Sequence, residues 1–172
     1  MEWSLERRKI MKNTLPMSFS KSIQTRLVLP PDTNHHQSIF GGKVLAYIDE
    51  IAAIAAMKHC QGEVVTASFD SVDFVSSAYA GDMIELEAVV SGTGRTSMEV
   101  YVRVVSRNIK TGAKKLTTES FVTMVAIDEN GKPKEVPGVE PETDFERHLF
   151  ETGPIRQEHR KQKRALSKKR RA

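Results

Sequence analysis

The sequence has one cysteine, Cys60, in 172 residues, which excludes an intrachain disulfide framework and makes a reducing, cytoplasmic setting the expected one. Cys60 reads as a buried structural thiol at a helix end. No apolar run approaches the ~18 residues that a membrane span needs. Residues 1–16 are charged where a secretory leader would carry an apolar centre, and they read as a short ordered extension or a loose leader. Histidine occurs without ligand spacing. His35 and His36 are adjacent, so they point in different directions, and no cysteine or carboxylate follows at a metal-binding interval. No metal site and no cofactor are therefore expected. There is no Gly-x-Ser-x-Gly elbow, which argues against a serine-triad hydrolase. The run Ser91-Gly92-Thr93-Gly94 lacks the Gly-Lys-Ser/Thr ending of a nucleotide loop and lies between two strand patterns.

Charge is unevenly placed. The formal net charge is +4, but residues 147–172 carry ten Lys/Arg against two acidic residues, and the rest of the chain is mildly acidic. Any polyanion argument concerns that tail alone. No aromatic residue follows Phe150, so bases would have no stacking platform, and nucleic acid is not an expected partner. Beyond Gly153-Pro154 the composition predicts a solvated tail, disordered or marginally helical.

The patterned body lies between these ends. Residues 20–29 alternate polar and apolar and stop at Pro30-Pro31, as a strand does. Residues 43–60 form a long helix, with Gly62 as its glycine cap. Strand patterns then follow at 64–76, 83–90, 97–105 and 116–127, separated by short turns. Residues 133–141 read as a surface linker. Residues 142–150 read as a short helix whose Phe145 and Leu149 pack back on the body. One long helix and a run of antiparallel strands predict an α+β layer fold with the sheet wrapped round the helix.

Chemistry concentrates where the polar loop Asn34-His35-His36-Gln37-Ser38 runs through Ile39-Phe40-Gly41-Gly42 into that helix. The helix is apolar nearly all round, which predicts that the domain encloses it. At about 100° per residue, Lys43, Glu50 and Lys58 share one polar stripe, whereas Asp49 projects roughly 130° away, among Leu45, Ala46, Ala52, Ala53 and Ala56. A carboxylate on such a face is costly unless it is paired or given work. It reads either as a structural aspartate or as a general base. Gly41-Gly42 stands at the helix start, where backbone N–H groups lack partners and no Cβ blocks a substrate carbonyl. That suits an oxyanion hole, or simply a tight turn. The hairpin residues Arg95, Thr96 and Ser97 can grip a phosphate or amide, or be an ordinary polar turn.

Asp32-Thr33-Asn34, Ile39-Phe40-Gly41-Gly42 and Asp49-Glu50, followed by strands, together resemble the hotdog-fold acyl-CoA thioesterases, bacterial and animal, over residues 18–137. Residues 1–17 are then an amino-terminal extension, and 138–172 a linker, short helix and basic tail. The resemblance implies an antiparallel sheet round one central helix, subunits paired edge to edge, and at least a dimer, often a trimer of dimers. It implies an acyl-CoA substrate bound between subunits, with coenzyme A as product and no separate cofactor. Asn34 and Asp49 match the family's catalytic positions, contributed by opposite subunits, and Gly41-Gly42 matches its backbone donors. Arg95, Thr96, Ser97 and Arg107 are candidates for coenzyme A contacts. The rivals are a hotdog hydratase or dehydratase, which would place prolines after its histidine where this chain has Gln37-Ser38-Ile39-Phe40, and an acyl-CoA-binding module without turnover.

Overall fold

Alternating side chains segregate onto two faces when strands pair, and the helix–strand order of this chain turns one face inward. The structure is a computed structural model that describes residues 13–172. The reading of residues 1–12 as an extension falls outside them. In chain order the elements are β1 (Thr14–Pro16), α1 (Met17–Ser20), β2 (Ser22–Leu27), a 3-10 turn (Pro30–Asp32), α2 (Gly41–Cys60), β3 (Glu63–Phe74), β4 (Met83–Thr93), β5 (Ser97–Arg107), β6 (Lys114–Ile127), β7 (Gly138–Glu140), α3 (Asp144–Glu151) and α4 (Gly153–Arg171).

The main sheet has five strands in the order β2-β4-β5-β6-β3, every pair antiparallel. Its inner face carries Leu86, Ala88 and Val90 of β4, Val100, Val102 and Val104 of β5, and Val122 and Met124 of β6, all fully buried. These pack on Val44, Ile48, Ile51, Ala52, Ala55 and Ala56 of α2, so one central helix fills the concave side. The outer face is the other half of the alternation. There Val89, Tyr101 and Phe121 form a second small cluster with Leu149 of α3, as expected for that residue, while Phe145 meets Tyr101 edge-on at 5.6 Å and stays half exposed.

Four expectations are corrected. The helix α2 is not enclosed all round: Ala46 is exposed, and Leu45, Asp49 and Ala53 are only half-buried, because the sheet covers one side of it and stops at the free edge of β3. The left-handed residue that ends α2 is Gln61 (φ 51°), since Gly62 already leads into β3. Part of the supposed linker is ordered: β7 pairs in parallel with β1, and Pro137 O accepts a hydrogen bond from His59 Nε2 at 3.0 Å. The basic tail is a continuous helix docked on the outer face of the sheet. Its anchor is Glu99, a buried outward position of β5, which accepts from Arg156 Nε (3.0 Å), Arg156 Nη2 (2.8 Å), Arg160 Nη1 (2.6 Å) and Ser91 Oγ (2.8 Å). Composition predicted a solvated tail because paired arginines look like solvated ones when their partner lies some sixty positions away.

Candidate active site

Asp49 lies two turns into α2, on the side facing β3. Its Oδ1 accepts a hydrogen bond from the hydroxyl of Thr66 at 2.6 Å. Thr66 belongs to the inward series of β3, between Val64 and Phe69, which both pack on the core. It pairs with Met124, and a register shift between Thr66 and Ser68 follows directly. Sequence reasoning missed Thr66. Its signal was a lone hydroxyl in an otherwise apolar inward series on the strand after the helix. Glu50, one position on from Asp49, accepts instead from Arg26 (2.7 Å) and Gln24 (3.3 Å) at the surface, as its place on the polar stripe implied.

Asn34 builds its own loop. Its Oδ1 accepts from the N–H of His36 (2.9 Å), the N–H of Ser38 (3.3 Å) and the Ser38 hydroxyl (3.2 Å), while Gln37 takes a left-handed conformation (φ 61°). Because backbone N–H groups only donate, these contacts fix which end of the amide is the oxygen. The Asn34 NH₂ is left without a partner among the described residues. The loop is tied down by Phe40 N–H to Asp32 O (3.0 Å), Ile39 N–H to Ala78 O (2.9 Å) and Ala80 N–H to Gln37 O (3.1 Å).

Gly41 and Gly42 open α2 with no side-chain cap at Phe40. The first N–H groups bonded inside the chain are those of Lys43 and Val44, both to Phe40 O, so the N–H groups of Gly41 and Gly42 have no partner among the described residues. The glycines differ in their surroundings. A Cβ on Gly41 would come within 3.2 Å of the Phe74 ring, whereas one on Gly42 would meet nothing within 4 Å. Gly42 therefore leaves an approach to the helix start open. Phe40, Phe74, Val75 and Tyr79, all about half exposed, make the surroundings apolar.

The chain does not bring all these groups together. No hydrogen bond joins the Asn34 loop to Asp49, and Gly42 and Asp49 are separated by roughly 10 Å of helix rise. The four candidate coenzyme A residues also divide. Arg95 pairs with Glu135 at 3.6 Å, Thr96 O accepts from Ala126 N–H, and Ser97 lines a cleft beneath α4. Arg107 lies at the far end of β5, about 30 Å away along the strand, in a cleft with Thr25, Glu85 and Lys114. They are not one contact set within one chain. Neither they nor the clefts along α4 adjoin Asp49.

Two ends of the sheet thus carry different members of the candidate set. Thr66, Met124 and Met98 form one row across β3, β6 and β5, so Asp49, Thr66 and the Arg95–Ser97 turn share one end. Phe74 pairs with Thr118 and lies beside Gly41, and Arg107 pairs with Lys114, so the start of α2 and Arg107 share the other.

Comparison with known proteins follows the same lines. The thioesterase superfamily profile matches residues 36–113. A Bacillus subtilis protein, the uncharacterized acyl-CoA thioester hydrolase YkhA, is 47% identical over 148 residues, 86% of each chain. The cytosolic acyl coenzyme A thioester hydrolase of Mus musculus is 34% identical over 150 residues, and this chain spans 39% of its length. An apo-hexameric acyl-CoA thioesterase superposes with a TM-score of 0.88 at 66% identity, covering 90% of this chain and 99% of that one. The acyl-CoA hydrolase of Staphylococcus aureus, solved with butyryl coenzyme A, coenzyme A and coenzyme A disulfide, gives 0.87 at 48% identity over 91% and 95%. Further structures of the S. aureus enzyme carry single alanine substitutions of an aspartate, an asparagine and a threonine. With the antiparallel sheet, the central helix on its concave side and these relatives in agreement, the chain belongs to the hotdog-fold acyl-CoA thioester hydrolases of the thioesterase superfamily.

Proposed function

We propose that the protein hydrolyses acyl-coenzyme A to a free acid and coenzyme A at a site shared by two subunits, with Asp49 and Thr66 from one and Asn34, Gly41 and Gly42 from the other. The observation that carries this reading is the free edge of β3. The strand is 12 residues long, is bonded to β6 on one side and has no strand on the other among the described residues. A strand that pairs with its own copy about a two-fold axis must do so antiparallel. The Thr66 end of one β3 then lies against the Phe74 end of the next, bringing Asp49 towards the partner subunit's Gly41. The half-open side of α2 gains its cover in the same step. The three alanine variants of the S. aureus enzyme support the residue choice, because their asparagine, aspartate and threonine are spaced along that chain as Asn34, Asp49 and Thr66 are along this one.

In this reading, Thr66 holds one carboxylate oxygen of Asp49 and fixes its plane. The other oxygen takes a proton from a water that attacks the thioester carbonyl. The NH₂ of Asn34, free because its oxygen is engaged by the loop, orients that water or the carbonyl. The N–H groups of Gly41 and Gly42 receive the negative charge as the carbonyl oxygen becomes tetrahedral, an effect for which one donor is typically worth about 10²–10³ in rate. Collapse of the intermediate expels the coenzyme A sulfur as thiolate, and the proton on Asp49 returns to solvent or to that sulfur. The chemistry needs no metal or cofactor. The Arg95–Ser97 turn and Arg107 would reach one ligand only across the subunit boundary. The assembly proposed is a hexamer of three such dimers, acting in the cytoplasm.

The decisive experiment is complementation. Asp49→Asn and Asn34→Ala proteins, each inactive in thiol release from a panel of acyl-CoAs, are unfolded, mixed and refolded together. A shared site leaves one intact centre in each mixed dimer, so statistical mixing should restore about a quarter of wild-type turnover. Mixed dimers that form but stay inactive would mean that both residues act within one chain. Binding of acyl-CoA by the wild type without thiol release would point to a binding module instead.

A further inference from the structure

The second half of α4 is more basic than docking requires. Arg156 and Arg160 suffice to hold the helix to Glu99, and Arg160 also faces Asp70 at 3.8 Å. Beyond them, Lys163, Arg164, Lys168 and Arg171 line a groove of about 330 Å³ between α4 and the outer face of β3, with the hydroxyls of Ser68 and Ser167 beside them. The carboxylate at its base is already committed, since Asp70 accepts from Ser68 (2.6 Å) and Thr123 (2.5 Å). Among the described residues, the four outer cations have no acidic partner.

We propose that this groove binds the phosphate groups of a small phosphorylated ligand, at a site across the sheet from Asp49 and Thr66. The faces are distinct. Thr66 points inward to α2, whereas Ser68 pairs with Thr123, an outward residue of β6, and both are bonded to Asp70 beneath the helix. The geometry favours an anion held in place over a loosely solvated face. Arg164, Lys168 and Arg171 recur at helical spacing along one wall, and the Glu99 anchor fixes that wall against the sheet, so the cations converge on one space in the folded protein. Guanidinium and ammonium groups with a hydroxyl donor, here Ser167 because Ser68 donates to Asp70, are the set that phosphate oxygens select. The lining contains no aromatic or large apolar side chain, so recognition rests on the phosphates, with no platform for a base or an acyl chain.

The test uses the full-length protein and inorganic pyrophosphate, followed by titration calorimetry at physiological salt. One pyrophosphate should bind per chain, with affinity falling tenfold or more in the triple variant Lys163→Gln, Lys168→Gln, Arg171→Gln. Circular dichroism and thioester turnover without pyrophosphate should stay at wild-type values in that variant. A coenzyme A titration identifies the source of the phosphates. Two coenzyme A molecules per wild-type chain and one per variant chain assign the groove to a nucleotide's phosphates, and one in both assigns it to another small phosphorylated ligand. Absent pyrophosphate binding, equal binding by the variant, or binding only to anionic vesicles would overturn the proposal. The pyrophosphate and coenzyme A binding readouts do not depend on thioester hydrolysis, so failure of this proposal and failure of the catalytic reading are separable.

Discussion

Asp49 and Glu99 are carboxylates on opposite sides of the same sheet, and the structure treats them differently. Glu99 is almost wholly buried and receives two arginines and a serine. Burial alone would raise its pKa, but the hydrogen bonds and charge of Arg156, then Arg160 and Ser91, hold it below the ordinary carboxylate value. Asp49 is half-buried, has one hydroxyl for a partner and no cation, and faces the open edge of β3. A carboxylate saturated by cations can fasten a helix but has no lone pair free for substrate. One held by a single hydroxyl keeps an oxygen free for water. Saturated partnering therefore fits Glu99 as a fastening, and incomplete partnering leaves Asp49 available for the proposed chemistry.

Neutralising each acid in turn should separate the two roles. Asp49→Asn should lower kcat about 10³-fold, within the usual span for loss of a general base, and leave the melting temperature within a degree or two. Glu99→Gln should do the reverse, with turnover kept within a few-fold and about 3 kcal/mol of stability lost, because two arginines are left beside a neutral group. Amide exchange should show α4 losing protection in Glu99→Gln but not in Asp49→Asn. An Asp49→Asn enzyme at full activity, or a Glu99→Gln protein as stable as wild type, would reverse the assignments. A smaller effect sharpens the active half. Thr66→Val removes one hydrogen bond to a charged group, worth about 1.5–3 kcal/mol, so kcat should fall about tenfold or somewhat more with KM little changed. Thr66→Ser, which keeps the hydroxyl, should recover most of it.

The inner half of the molecule was largely legible from sequence because its signals are local. Period-two alternation in Met98, Val100, Val102 and Val104 and the unbroken helix 43–60 specify the sheet and its filling, and Asp49 stands out against its own helix face. Thr66 was not legible as a partner, since its meaning depends on a strand lying beside α2 in one particular register. The outer half was not legible for the same reason on a larger scale. Glu99 looked like an ordinary outward residue of an alternating strand, and Arg156 and Arg160 looked like members of a charged tail; only the fold joins them. The β1–β7 ribbon joins segments that each read as irregular, because a three-residue strand has too few positions to show a period. The division of Arg95 to Ser97 from Arg107 follows from the 11-residue length of β5, which separates its ends and which loose adjacency to turns could not reveal.

The mildest prediction concerns the order in which the two faces yield to acid. His59, fully buried at the end of α2, binds Pro137 O through Nε2, and its Nδ1 has no partner among the described residues. Burial pushes its pKa below the ordinary histidine value, despite backbone contacts at Pro137 and Gly138 that favour the proton. Folded protein therefore keeps His59 neutral where unfolded chain begins to protonate, near pH 6.5. Above that pH neither state takes a proton and His59 contributes no slope. Below it the unfolded state binds more protons, so stability falls with the pH, by at most about 1 kcal/mol between pH 6.5 and 5.5. Glu99 has the same sign at a lower pH: its lowered pKa adds stability that is complete above the unfolded carboxylate value, about 4.3, and is lost as the pH falls through the folded value. Acid should thus loosen the Pro137 contact and the β1–β7 ribbon first and release α4 afterwards. Urea midpoints measured across this range should lose their slope between pH 6.5 and 5.5 in His59→Gln, which keeps an N–H donor for Pro137 but cannot titrate. In Glu99→Gln that slope should persist, while the acid-induced loss of α4 protection below the unfolded carboxylate range should disappear. If α4 were released first, Glu99 would not be the anchor that its buried contacts make it.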